Sequence, residues 1–161
     1  MEDKYLKPAF LLLLSVFFIA CSKSNHAAAV AKPNYSLHFT ASDSTINYPI
    51  NQAFTQNIYS LNTTLITGQW SDTSSRQGSI SIRVFGDTTG RYPADSLQIT
   101  YTSGTGMIYS NTTDSNNFVK IDRYDKSADG IVSGSFACKV SDSSGAALLL
   151  SGGAFVAQYQ N

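Results

Sequence analysis

Trp70 stands in the stretch Gly68-Gln69-Trp70-Ser71-Asp72, with Arg76 a few positions on. Tyr92 and Tyr109 lie in or beside glycine-bearing connections further along. Such a set can hold a sugar. A flat aromatic face covers the apolar side of the ring, and planar polar groups take its hydroxyls. Trp70, Asp72, Arg76, Tyr92 and Tyr109 are therefore the candidate binding residues. The same types also suit a β core, and Trp70 shares the parity of Ile66. A second set, Asp122, Asp125 and Asp129 beside Gly130, gathers carboxylates on a turning segment. Calcium takes about six to eight oxygens from such segments. The spacing is not the alternating acidic loop, and no terminal bidentate acid follows, so a hairpin turn built on Asp and Gly accounts for it equally.

Other chemistry finds little material. The histidines are His26 and His38 and the cysteines Cys21 and Cys138, a poor supply for a four-ligand zinc site. No nucleophile elbow of the G-x-S-x-G type is present, so His38 is the one base a serine would have. No phosphate-cradling Gly-Lys motif appears, and glutamate is absent after residue 20. The expectation is a chain that is not an enzyme and carries no cofactor. A hydrolase remains the alternative if His38 contacts a serine or two aspartates converge.

The cysteine at position 21 has a chemistry of its own. Lys4 and Lys7 precede an apolar run over residues 9–20 that Ser15 alone interrupts. Crossing the hydrocarbon layer takes about 20 residues as a helix, so the run is short. Its length and flanks are those of a signal-peptide core. Phe18-Ile19-Ala20-Cys21 resembles a bacterial lipobox, in which the cysteine becomes the first mature residue. The resemblance implies that the Cys21 sulfur is joined to diacylglycerol and its new amino group acylated. A thiolate is the right nucleophile for that step, and two or three chains at about 0.8 kcal/mol per buried methylene hold a protein firmly to a bilayer. Ser22 is not the aspartate associated with inner-membrane retention, and no acidic export run follows. The expected place is the outer membrane, on its periplasmic side rather than the cell surface.

Residues 1–20 thus read as a signal peptide, residues 21–33 as the lipidated cysteine with a flexible tether, and residues 34–161 as one domain. About 130 residues bury roughly two-thirds of their unfolded surface without staples. Beyond residue 20, nine Lys and Arg balance nine Asp, which excludes the basic stripe of a nucleic-acid binder. With Cys21 lipidated, Cys138 has no disulfide partner. Its parity with Val132, Phe136 and Val140 makes it a hidden core residue.

Apolar and polar residues alternate over most of that domain, as in Leu37/Phe39, Ile80/Ile82/Val84 and Leu97/Ile99/Tyr101. Segment 118–124 is apolar on both parities, and Gly152-Gly153 marks a break or bulge in the last strand. Residues 86–93 read as a glycine-punctuated connection. No helical stripe is sustained. The fold expected is all-β, an antiparallel β-sandwich or a barrel-like single domain.

Three segments carry a family resemblance: 119–124 (Val-Lys-Ile-Asp-Arg-Tyr), 131–136 (Ile-Val-Ser-Gly-Ser-Phe) and 153–155 (Gly-Ala-Phe), with Gly90-Arg91-Tyr92 before them. They resemble a group of uncharacterised lipoproteins of Bacteroidota type, whose C-terminal half repeats an aromatic strand, an I-x-G-x-F strand and a final G-x-F strand. The resemblance covers about residues 78–159. It implies a β domain on a lipid anchor and transfers no catalytic residue. The expected role is a lipid-anchored envelope protein with a binding or structural domain. A glycan-binding accessory protein, or the partner of another envelope protein, is the more specific form.

Overall fold

The computed structural model describes residues 34–48, 50–58, 61–71 and 77–160. They belong to one compact unit, Asn34–Asn161, built of eleven strands: β1 (Ser36–Ala41), β2 (Ser44–Tyr48), β3 (Ile50–Ile58), β4 (Leu61–Ser71), β5 (Gln77–Val84), β6 (Gly90–Pro93), β7 (Leu97–Thr102), β8 (Ile108–Asn111), β9 (Phe118–Tyr124), β10 (Ile131–Ser141) and β11 (Ala147–Gln160). A single 3₁₀ turn, Ala94–Ser96, precedes β7. The all-β expectation holds.

Alternation fixes which face turns inward. On β5, Ile80, Ile82 and Val84 are buried, while Ser79, Ser81 and Arg83 take the other face. β1 buries Leu37 and Phe39, and β7 buries Leu97, Ile99 and Tyr101. β10 contributes Val132, Phe136, Cys138 and Val140. Segment 118–124 resolves in favour of Val119 and Ile121, leaving Phe118 half-exposed under the Arg91 guanidinium, 3.7 Å from its ring centre. Each large aliphatic side chain so buried contributes about 1.5–3 kcal/mol relative to an exposed one.

The pairings close on themselves. β3, β4, β5, β7, β8, β10 and β11 form a ring, with every junction antiparallel except β11 to β3. The parallel junction has a local cause. β1 covers β11 only as far as Ser36 opposite Val156, so Gln158–Gln160 would keep an open edge, and β3 fills it from Gln52 to Phe54. The β1–β2 hairpin extends from β11 beside this ring, and β9 carries β6 out from β10. Residues 90–93, read from sequence as part of a connection, therefore form an edge strand on β9. Pro93 ends it, as proline does on sheet edges.

β11 changes parity in its middle. Leu148 and Leu150 face inward before the break; Phe155, Ala157 and Tyr159 do so after it. Both ladders shift there, between His38 and Thr40 on one side and Phe136 and Cys138 on the other. One extra residue exchanges the faces of everything beyond it. Gly152 takes a φ of +60°, and a Cβ on Gly153 would stand 2.6 Å from the Phe136 ring.

Side chains seal the ring where strands are short. The Asn111 carboxamide accepts from Ile99 N at 2.8 Å and reaches Leu97 O at 3.5 Å, continuing the β7 ladder beyond the end of β8. Asn117 accepts from Lys139 N at 2.7 Å and donates to Thr112 O at 2.8 Å, in the gap on β10 between β8 and β9. Near the base, where residue 34 begins, four hydroxyls form a chain. Thr64 Oγ1 donates toward Gly86 O at 2.6 Å and toward the Tyr124 hydroxyl at 2.9 Å. Tyr124 and Thr55 share a hydrogen bond at 2.9 Å, and Thr55 accepts from Tyr159 at 3.1 Å. In such a chain each bond polarises the next.

Candidate functional site

The hairpin turns at 42–43, 103–107 and 142–146 share the end of the unit opposite residue 34, and a cleft of about 410 Å³ opens there. One wall is residues 45–48 of β2. The other is Gly78 at the start of β5, Tyr101 near the end of β7, and Gly104 in the following turn. The cleft exists because β2 pairs with β1 alone among the described residues, leaving its outer edge without a strand. Glycines on the far wall keep the cleft open, since neither brings a side chain into it.

Aromatic packing supports the walls. Tyr48 lies over Gly68, where an added Cβ would meet its ring at 3.1 Å, and is 5.9 Å from Phe39. Tyr101 meets Phe39 edge-on at 5.4 Å and stacks on Tyr109 at 5.8 Å with planes 24° apart. Burial pushes the phenol pKa of both Tyr48 and Tyr101 up, and the neighbouring tyrosine adds to it in each case. Both stay neutral at ordinary pH. Among the described residues, none lining the cleft carries a carboxylate or a cation. The exposed Thr45 and Asn47 side chains form no hydrogen bond with a described residue, while their backbones pair with Thr40 and His38 of β1. The described lining thus offers uncharged polar side chains to solvent.

The sequence candidates distribute around this feature unevenly. Tyr109 reaches it through its stack on Tyr101. Trp70 belongs to β4, and its backbone pairs with Gly78 at the cleft wall. Asp72, Arg76 and Cys21 lie outside the described residues. Tyr92 is elsewhere, on edge strand β6, where its hydroxyl donates to Thr88 O at 2.9 Å and staples the preceding loop. Sequence reasoning missed Thr45, Asn47 and Tyr48, and took Tyr101 for core alone. The available signal was a tyrosine at an inward position near a strand end, whose apolar body belongs in the core and whose hydroxyl belongs at the mouth.

The three aspartates of the calcium reading do not converge. Asp122 pairs with Lys120 at 2.7 Å. Asp125 accepts from Ser127 N at 3.0 Å and Ser127 Oγ at 2.7 Å, and these bonds hold its carboxyl below the usual range, with Arg123 adding a smaller effect. Asp129 takes a φ of +62° and accepts from the Gln158 amide. Among the described residues no group of three acids, histidines or cysteines is placed to hold a metal ion. His38 sits on the outer parity of β1, between Asn47 and Ala154, with no hydrogen bond to a serine among the described residues. Cys138 is buried, its thiol pushed up to about 12 by desolvation with the Asp114 charge adding to it.

Two further depressions lie among the described residues. One, about 340 Å³, lies along the β6–β8 seam near Asp95 and Asn111. The other, about 560 Å³, surrounds Asp87 and Lys126, which pair at 2.6 Å. The ion pair satisfies itself and leaves no net charge for a ligand. Comparison with family models, with curated proteins and with solved structures finds no match to this chain.

Proposed function

We propose that this chain is a lipid-anchored cell-envelope protein, held to the membrane through Cys21, whose β domain binds rather than catalyses. The carrying observation is Phe18-Ile19-Ala20-Cys21 at the end of a short apolar run, followed by a compact β unit from Asn34 onward. A run too short to span but long enough to direct export, ending at a nucleophilic sulfur, fits acylation better than insertion. The resemblance of segments 119–124, 131–136 and 153–155 to Bacteroidota-type lipoproteins supports the same reading, with the outer membrane's periplasmic leaflet as the site. A binding role is supported by the cleft at the turn end, by inert Cys138, and by a His38 that makes no hydrogen bond to a described serine.

The test is metabolic labelling with an alkyne fatty acid in a bacterial host. The wild-type chain is expected to label and to partition into detergent; Cys21→Ser is expected to do neither. Equal labelling of Cys21→Ser, or a native product retaining Met1, would refute the anchor.

A further inference from the structure

We propose that β3 is a strap: it closes the ring against β11 near the base and releases there as a local unit, while the rest of the sheet stays folded. This goes beyond the binding reading and does not depend on the anchor. Two junctions of the ring are held by few ladder pairs. At β8–β10 the register covers Ser110 and Asn111, opposite Ser141 and Val140. Main-chain groups continue that junction: Thr112 N donates to Lys139 O at 3.0 Å, and the Asn117 carboxamide accepts from Lys139 N and donates to Thr112 O. At β3–β11 the register covers Gln52–Phe54 opposite Gln158–Gln160, and the strands run parallel. Parallel pairing is slightly less stable per residue than antiparallel pairing.

The other bonds across this junction come from hydroxyls. Thr55 of β3 shares a hydrogen bond with Tyr124 of β9 at 2.9 Å and accepts from Tyr159 of β11 at 3.1 Å, and Thr64 of β4 donates to Tyr124 at 2.9 Å. Each is neutral and is replaced by a bond to water when the strands part, so its net contribution is modest. The ladders on either side are far longer. β3 pairs with β4 from Ile50 to Ile58, and β11 pairs with β10 from Ala147 to Gln158. Opening the β3–β11 line therefore breaks three parallel pairs and three hydroxyl bonds and leaves both antiparallel ladders whole. Such openings, with few bonds lost and little surface exposed, are the low-free-energy motions of a folded domain.

The experiment is native-state hydrogen exchange on the full chain in detergent, read by mass spectrometry with single-residue fragmentation across a gradient of sub-denaturing urea. The amides that segments 52–54 and 158–160 direct across the junction are expected to exchange through an opening that hardly responds to urea. Amides of the β4–β5 ladder should follow the steep urea dependence of global unfolding. Two variants accompany the wild type. Tyr124→Phe keeps the ring and removes two of the crossing bonds, so exchange at the junction should speed up at least about fivefold, the low end for two hydrogen bonds. Tyr92→Phe removes a hydroxyl that donates to Thr88 O within its own loop, a bond that survives the opening, and should leave exchange at the junction unchanged. Equal urea dependence at the junction and in the β4–β5 ladder would overturn the strap, because β3 would then leave β11 only on global unfolding. Junction exchange untouched by Tyr124→Phe, or raised as much by Tyr92→Phe, would overturn it too.

Discussion

Replacing Asn117 by alanine should be among the most damaging single changes in the domain. Asn117 is 2% exposed and acts as a piece of backbone. Its oxygen takes the Lys139 N–H at 2.7 Å and its amide nitrogen serves Thr112 O at 2.8 Å. Lys139 O keeps a partner without it, because Thr112 N reaches it at 3.0 Å. Two main-chain groups, Lys139 N and Thr112 O, therefore lose the hydrogen bond that satisfies them when the side chain is cut. At about 1–3 kcal/mol for each buried group left unsatisfied, Asn117→Ala should cost about 2–6 kcal/mol, the lower part of that range if water enters the gap. Asn117→Asp separates hydrogen bonding from volume. The carboxylate keeps the Lys139 contact but faces Thr112 O with no proton to give, in a buried place that raises its folded pKa above the usual value. Its stability deficit is therefore smallest below about pH 4, where the acid is protonated in both states, and grows as pH rises past the unfolded value. Urea unfolding followed by far-UV circular dichroism from pH 3.5 to 7 reads both effects. A cost below about 0.5 kcal/mol for alanine, or a pH-independent deficit for aspartate, would sink the claim that this amide substitutes for a strand.

Gly153→Ala should cost about 1–3 kcal/mol through overpacking, because its Cβ would press on the Phe136 ring; the penalty should shrink in a Phe136→Leu background, and an undiminished penalty there would assign the loss to the bulge backbone instead. On acidification, Asp114, Asp125 and Asp142 all have pKa values lowered chiefly by hydrogen bonds from the residue two positions on. Their contribution is complete above the unfolded value of about 3.9 and is lost as pH falls through the lower folded values, so the urea midpoint should be level from about pH 5 to 7 and decline below about 4. Asp142→Ala should blunt that decline, and an unchanged acid limb in that variant would contradict the turn assignment.

Much of this fold was legible because one rule governs most of it. Ile80, Ile82 and Val84 can face one way only, and the same holds for Leu97 and Ile99. Cys138 fell into place with its strand. The doubled glycine at 152–153 announced the bulge, though not that the bulge exchanges the faces of the last strand. What stayed hidden depends on contacts distant in sequence. Segment 118–124 is apolar on both parities, and only β10 on one side and β6 on the other decide that Val119 goes in. Residues 90–93 looked like a connection because a four-residue strand has no period to display. Residues 44–58 divide into β2 on β1 and β3 on β11, a change of partner that alternation does not display. The site was half legible for the same reason. Trp70 drew attention by its chemistry, whereas Asn47 and Tyr101 become neighbours of one cleft only after β2 has been laid across from β7.

The seals and the cleft share an origin. A ring of strands this irregular leaves gaps wherever a strand is too short for its neighbours, and each gap exposes backbone groups that need partners. At β8, four residues long, the chain meets that need itself: Asn111 continues the β7 ladder and Asn117 the β10 ladder. At β2 the need is of the same kind, yet the facing wall carries glycines at 78 and 104 where a sealing asparagine would fit. Folding stability alone favours filling such a gap, since a polar side chain there gains hydrogen bonds. At β2 the gap stays open, lined by glycines and the exposed Thr45 and Asn47 side chains. That contrast between two short strands in one sheet separates the amide seams, which the chain closes itself, from the cleft, which it does not. It also makes Gly104 informative: a large side chain at that position should leave the fold intact, whereas the same insertion at Asn111 should unfold the ring.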